Sequence, residues 1–165
     1  YSYVREGRYN DAIAHAEAIF ISGGDQGNYI NFWQHTPVQD EINKAIQRGV
    51  PIGGTSAGLA VLGEFVFTAL NDSALSQATL ADPYNPQVTL GSDFLRVPHM
   101  NNIITDQHFV KRDRLGRFLG FLARLLQDGA AKDIRGVAVD ERNAVLLDER
   151  GHGRLVGEGA AATSA

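Results

Sequence analysis

Apolar and polar positions along this chain fall into blocks whose spacing switches between that of a strand and that of a helix. A short helix capped by Asn10 or Asp11 is expected through Ala16. The run AEAIFIS, residues 16 to 22, reads as a buried strand that ends at Gly23-Gly24. Thr36-Pro37-Val38-Gln39 has the form of a capping box, with proline at the first helical position. Ile42, Ala45 and Ile46 follow at helical spacing, and Gly49 stops the helix. VPIGG (50 to 54) reads as a strand, and AGLAVLGEFVFTAL (57 to 70), apolar on nearly every side, as a buried helix. Residues 71 to 100, with three prolines, read as a long excursion with little regular structure. NIIT (102 to 105) returns to the sheet. A helix is expected from about residue 112 to 127, with Leu115, Phe118, Leu119, Leu122 and Leu126 on one face. GVAVD (136 to 140) is another buried strand, and AVLLD with GRLVG suggests a closing hairpin around Gly151-His152-Gly153.

Strands and helices that alternate, with the strands apolar throughout, predict an α/β fold: a mostly parallel sheet covered on both faces. In such sheets, sites gather beyond the C-terminal ends of the strands. The chemically interesting residues fall there: Gly23 to Gln26, then Ser56, then Asp106 to His108, then Asp140-Glu141. The 165 residues suffice for one domain, and neither an internal repeat nor a low-complexity segment divides them. A net charge of -4 argues against a general nucleic-acid binder, and no window is apolar enough for a membrane span. The absence of cysteine removes disulfide and thiolate chemistry and leaves the compartment open. The chain opens at Tyr1, in a polar stretch, which reads as a piece of something longer.

Gly54-Thr55-Ser56-Ala57-Gly58 fits G-x-S-x-G, the turn that reverses a strand into a helix and exposes a nucleophilic serine. The bland alternative is a serine N-cap in a glycine-rich turn. Placement between a strand and a buried helix favours the nucleophile. Of the five histidines, His15 and His35 read as surface residues, His99 lies in the excursion and His152 in the hairpin turn. His108 alone sits just beyond a central strand, as a base must; otherwise it caps the following helix. Asp106, Asp140 and Glu141 could orient it, and Glu141, past the end of a buried strand, is favoured. An α/β-hydrolase order of serine, acid, histidine would instead require His152 as base. Arg112, Arg114 and Arg117 beside His108 read either as a solvated face or as a cationic wall for a carboxylate-bearing substrate. Asp106-x-His108 is the only metal-like pair and has no second cluster, and GGDQGNY matches neither nucleotide-binding pattern, so no metal or other cofactor is expected.

Four segments, FISGGDQGNY, PIGGTSAGLAVL, IITDQHFVKRDRLGRF and GVAVDERNAVL, resemble in order the cyanophycinase family of serine peptidases, relatives of aspartyl dipeptidase, over about residues 16 to 147. The resemblance implies a three-layer sandwich of flavodoxin-like or class I glutamine-amidotransferase-like type, with Ser56, His108 and Glu141 as catalytic residues. It implies an oxyanion hole from Gly24 and Ala57, and substrate roles for Gln26, Asp106, Gln107, Arg112, Arg114 and Arg117. It also implies serine exopeptidase activity on an aspartyl-type bond, whether β-Asp-Arg in a cyanophycin-like chain or an Asp-X dipeptide. A peptide with aspartyl residues is then the expected partner, with no nucleic acid and no membrane, and a homodimer is an admissible assembly. Relatives normally carry a substantial segment before the G-G-D-Q strand, so residues 1 to 165 are expected to form a single but partial domain. The competing expectation is a non-catalytic scaffold that binds acidic or amide ligands.

Overall fold

The computed structural model describes residues 9 to 158 and 161 to 164. Helix α1 (Asn10–Ala14) leads into β1 (Ile19–Ile21), then α2 (Gln26–Trp33), α3 (Pro37–Gln47), β2 (Ile52–Gly54) and a single-turn α4 (Ala57–Ala60). The middle third holds β3 (Val66–Phe67), α5 (Ser76–Ala81) and β4 (Leu90–Gly91). After it come β5 (Ile103–Gln107), α6 (Leu115–Gln127), β6 (Arg135–Val139), β7 (Asn143–Leu147), β8 (Gly153–Gly157) and β9 (Ala161–Ser164). The fold is therefore α/β.

Its pairings are partly parallel and lie in small pieces. β1 pairs parallel with β2, and β5 parallel with β6, while β9 closes onto β6 antiparallel. β3 with β4 and β7 with β8 are antiparallel pairs. α4 and the residue before β3 form a seam with β5: the Thr105 hydroxyl donates to the Leu59 carbonyl at 2.7 Å, and Phe65 makes a parallel bridge to Ile104.

Apolar burial forms two clusters either side of this seam. Ile21, Ile30, Ile42 and Ile46 pack with Val61, Val66 and Phe94; Phe67, Ile104 and Ala138 pack with the Phe118, Phe121 and Leu125 stripe of α6. The segment expected as one helix over 57 to 70 breaks after Ala60. Its amides go to β5 instead: Phe65 N–H donates to the Ile103 carbonyl at 3.1 Å, and Val66–Phe67 pair with β4. It is apolar on every side because it lies between both clusters, a pattern that a buried helix shares with a buried strand.

Three other expectations shift. α6 begins at Leu115, and its buried stripe is Phe118, Phe121, Leu122 and Leu125, whereas Leu115, Leu119 and Leu126 are exposed. The excursion over 71 to 100 contains α5 and β4. At α3, Thr36 donates its hydroxyl to Trp33 O and Gln39 accepts from His35 N–H, one residue upstream of the reciprocal capping-box pattern. α2, unforeseen, starts where the Asp25 carboxylate accepts the Gly27 N–H at 2.8 Å. Among the described residues no helix is long and apolar enough to cross a membrane.

Candidate active site

β2 ends at Gly54 and α4 begins at Ala57, so the chain must reverse within two residues. Ser56 takes up the reversal with φ 53° and ψ −119°, a left-handed backbone that costs an ordinary residue on the order of 1–3 kcal/mol. The turn closes only because its flanks have no side chains. A Cβ on Gly58 would collide with the Ile21 and Ser22 carbonyl oxygens, and one on Gly54 would collide with the Gly58 carbonyl. Local sequence thus places a hydroxyl just past the C-terminal end of β2, beside the end of its parallel partner β1.

His108 follows β5 directly, again in left-handed backbone (φ 48°), which turns its ring back toward β2. Ser56 Oγ lies 2.9 Å from His108 Nε2, and His108 Nδ1 lies 3.1 Å from Glu141 Oε1. Glu141 stands two residues beyond the end of β6, and the parallel pairing of β5 with β6 brings it beside His108. An imidazole held in this way accepts a proton at Nε2 while its Nδ1–H is fixed by the carboxylate. Asp140 does different work: its carboxylate accepts the Lys111 N–H at 3.1 Å, tying the end of β6 to the turn after His108. That bond, with further backbone N–H groups of Glu141 and Val110, holds the Asp140 carboxyl below the usual carboxylate range.

Ser56 opens onto a cleft of about 350 Å³ lined by Gly24, Asp25, Gln26, Ala69, Leu70, Asp72, Ser73, Gln107, Arg112 and Arg114. Gln26 is buried and donates through Nε2 to Phe67 O at 3.3 Å. Arg114 is also buried, donating to the Gln107 carbonyl at 2.8 Å and to the Gln107 side chain. Burial, followed by the neighbouring Arg117 charge, lowers its pKa to about 10. Gly24 lines this cleft, and Ala57, directly after Ser56, opens α4.

Asp106 and Arg117, grouped with the substrate residues in the sequence reading, lie behind this cleft and not on its wall. They are 2% and 1% exposed and face one another, with Arg117 Nε 2.8 Å from Asp106 Oδ2. The guanidinium stacks on Phe67 at 4.9 Å and donates from Nη1 to Ser73 Oγ at 3.2 Å, so it supports the cleft from beneath. The physical reason is that the first turn of α6 packs onto β5, and a guanidinium buried there requires a carboxylate.

Three of the other four histidines are engaged elsewhere. His15 Nδ1 lies 2.8 Å from Asp11 O, His99 Nε2 lies 3.0 Å from Glu149 O, and His152 contacts Asp148 in the β7–β8 turn. No group of three or more metal-ligating side chains occurs among the described residues. A larger apolar groove of about 580 Å³, lined by Ile46, Ile52, Leu59, Val97 and Val139, contains none of Ser56, His108 and Glu141. Asp72, Ser73 and the role of Asp140 escaped the sequence reading. The string Asn71-Asp72-Ser73 signals only a turn, and its position against Ser56 is set by contacts distant in sequence.

Known proteins resemble this chain over most of its length. The chain is 26% identical over 152 residues to a cyanophycinase from Geminocystis herdmanii, covering 92% of this chain and 50% of the relative. It is 30% identical over 148 residues to a cyanophycinase from Synechococcus elongatus, covering 89% of this chain and 41% of the relative. The chain thus spans half or less of the length of these curated relatives. A crystal structure of a peptidase from an acI-B1 Actinobacterium shares the fold, with a TM-score of 0.58 and 19% identity over 93% of this chain and 55% of that one. The model of peptidase family S51 matches residues 5 to 152, and this chain belongs to that family.

Proposed function

We propose that this chain carries the active core of a serine exopeptidase that hydrolyses aspartyl-type bonds, in a single α/β domain of flavodoxin-like layout. The observation that carries the reading is the continuous relay from Ser56 Oγ to His108 Nε2 at 2.9 Å and from His108 Nδ1 to Glu141 at 3.1 Å. Ser56 Oγ attacks the scissile carbonyl carbon as its proton passes to His108 Nε2, and Glu141 holds the imidazolium through Nδ1–H. The carbonyl oxygen becomes an oxyanion held by the Gly24 and Ala57 N–H groups. His108 returns the proton to the leaving amine, and water releases the acyl group by the same path in reverse. Arg112 and Arg114, beside the neutral amides of Gln26 and Gln107, supply the cationic side that an aspartyl carboxylate needs. Hydrolysis of β-Asp-Arg by the purified chain tests this, together with stoichiometric fluorophosphonate labelling at Ser56. Ser56→Ala is expected to abolish both and His108→Ala to suppress labelling; turnover that persists in Ser56→Ala sinks the proposal.

One observation favours a second reading, binding without cleavage. The Glu141 side chain is 47% exposed, so its hold on the imidazole is screened by water. A folded protein that binds aspartyl peptides but takes no label at Ser56 would select this reading.

A further inference from the structure

The cleft beside Ser56 carries charge of both signs, and the acidic side is not explained by the relay. Of its two carboxylates, Asp25 is committed to capping α2. Asp72 is exposed; its Oδ1 accepts the N–H of its own neighbour Ser73 at 2.7 Å, and it has no cationic partner among the described residues. It is also not held loosely. Ala69 (φ 51°) and Asp72 (φ 77°) are both left-handed, and Leu70 bridges to Asp72 between them. This strained loop is anchored at three points: Leu70 N–H donates to Thr89 Oγ1 at 3.1 Å, the Asn71 side chain donates to Pro86 O at 2.9 Å, and Ser73 Oγ accepts from buried Arg117. Non-glycine residues persist in such backbone only where surrounding contacts over-determine it, and that combination clusters at sites that must present a group in one place. What the loop presents is Leu70, a large apolar side chain 45% exposed in the cleft, next to an exposed carboxylate.

An apolar surface ending in a carboxylate matches a side chain with an aliphatic stem and a cationic head. Resting on the peptidase reading above, we infer that Asp72 is a specificity residue for the group released on cleavage. Its carboxylate pairs with a lysine- or arginine-type head while Leu70 packs against the stem, and Arg112 and Arg114 take the substrate's carboxylate. The cation at Asp72 cannot be exchanged with the carboxylate at the arginines, so charge fixes the direction in which a dipeptide enters.

The test is the selectivity ratio, kcat/KM for β-Asp-Arg over kcat/KM for β-Asp-Leu, in wild type and Asp72→Asn. Asparagine tolerates left-handed backbone and keeps the acceptor for Ser73 N–H, so the loop survives the change. Loss of the charge at this exposed carboxylate, whose pairing is screened by water, lowers the ratio about 2- to 5-fold, mainly through KM for β-Asp-Arg. Asp72→Arg is expected to lower the ratio further. An unchanged ratio overturns the inference, as does an equal loss on both substrates, which would mean that Asp72 reads the α-amino group that both share. A wild-type protein that takes a fluorophosphonate at Ser56 yet cleaves neither dipeptide overturns the substrate class and the role of Asp72 together. A protein that cleaves both, with a ratio indifferent to Asp72, overturns only the latter.

Discussion

The buried Asp106–Arg117 pair lets a structural role be separated from substrate contact by measurement. Arg117→Met strands a carboxylate that Arg114, 3.6 Å from Asp106 Oδ1, partly compensates. Asp106→Asn strands a guanidinium 1% exposed, left with only Ser73 Oγ, the Ala74 carbonyl and two aromatic faces. Removing one partner of a buried pair costs about 3–5 kcal/mol, so Arg117→Met belongs near the lower figure and Asp106→Asn near the upper. For a domain of this size that is a fall in Tm of roughly 6–20 °C. In Asp106→Asn/Arg117→Met the central pair is removed together; Arg114 loses its carboxylate at 3.6 Å but keeps the Gln107 acceptors, and the amide still accepts the Gln107 N–H that Asp106 Oδ1 now holds at 2.8 Å. The double variant is therefore expected within about 1–2 kcal/mol of wild type, far from the sum of the single losses. Urea unfolding of the four proteins closes the cycle, and KM for an aspartyl dipeptide is measured on the folded double variant. Additive losses would refute the pairing argument. A tenfold rise in KM in a stable double variant would return Arg117 or Asp106 to the substrate.

Gly58→Ala forces a Cβ onto the Ile21 carbonyl; a stability loss of about 1–3 kcal/mol or more and failed labelling at Ser56 are expected, whereas unchanged labelling would show that the elbow can relax. The Asp140 carboxyl, held low by the Lys111 N–H, contributes stability above its unfolded pKa of about 4 and loses it as pH falls through the lower folded value. The Tm deficit of Asp140→Ala at pH 7 should thus shrink below about pH 4, and a deficit constant down to pH 3 would reject an ionised acceptor. His152→Ala, which alters only the exposed β7–β8 turn, is expected to leave the fluorophosphonate labelling rate at wild-type level; a lost label would restore the serine, acid, histidine order.

Where legibility in the sequence ended can be followed residue by residue. Apolar patterning located α3 by its helical spacing and β1, β2, β5 and β6 as short continuous apolar runs. It failed at 57 to 70, where packing on all sides erases the period. It also misjudged the face of α6, since Leu115, Leu119 and Leu126 satisfy helical spacing while Phe121 and Leu125 take the core.

The site divides in the same way. Gly54-Thr55-Ser56-Ala57-Gly58 by itself determined a tight strand-to-helix turn with an exposed hydroxyl, because the glycines answer contacts made within a few residues and by the adjacent strand. Charge type and order along the chain determined that His108 and an acid could follow. Only tertiary structure decided that Ser56 meets His108 across 52 residues, that His108 meets Glu141 across 33, and that Arg117 is spent on Asp106 while Asp72 is left facing the cleft. An arginine reads identically in a sequence whether it lines a pocket or neutralises a buried carboxylate. The difference is solvent access and partner distance, which depend on how β5, β6 and α6 pack and on nothing local to the residue.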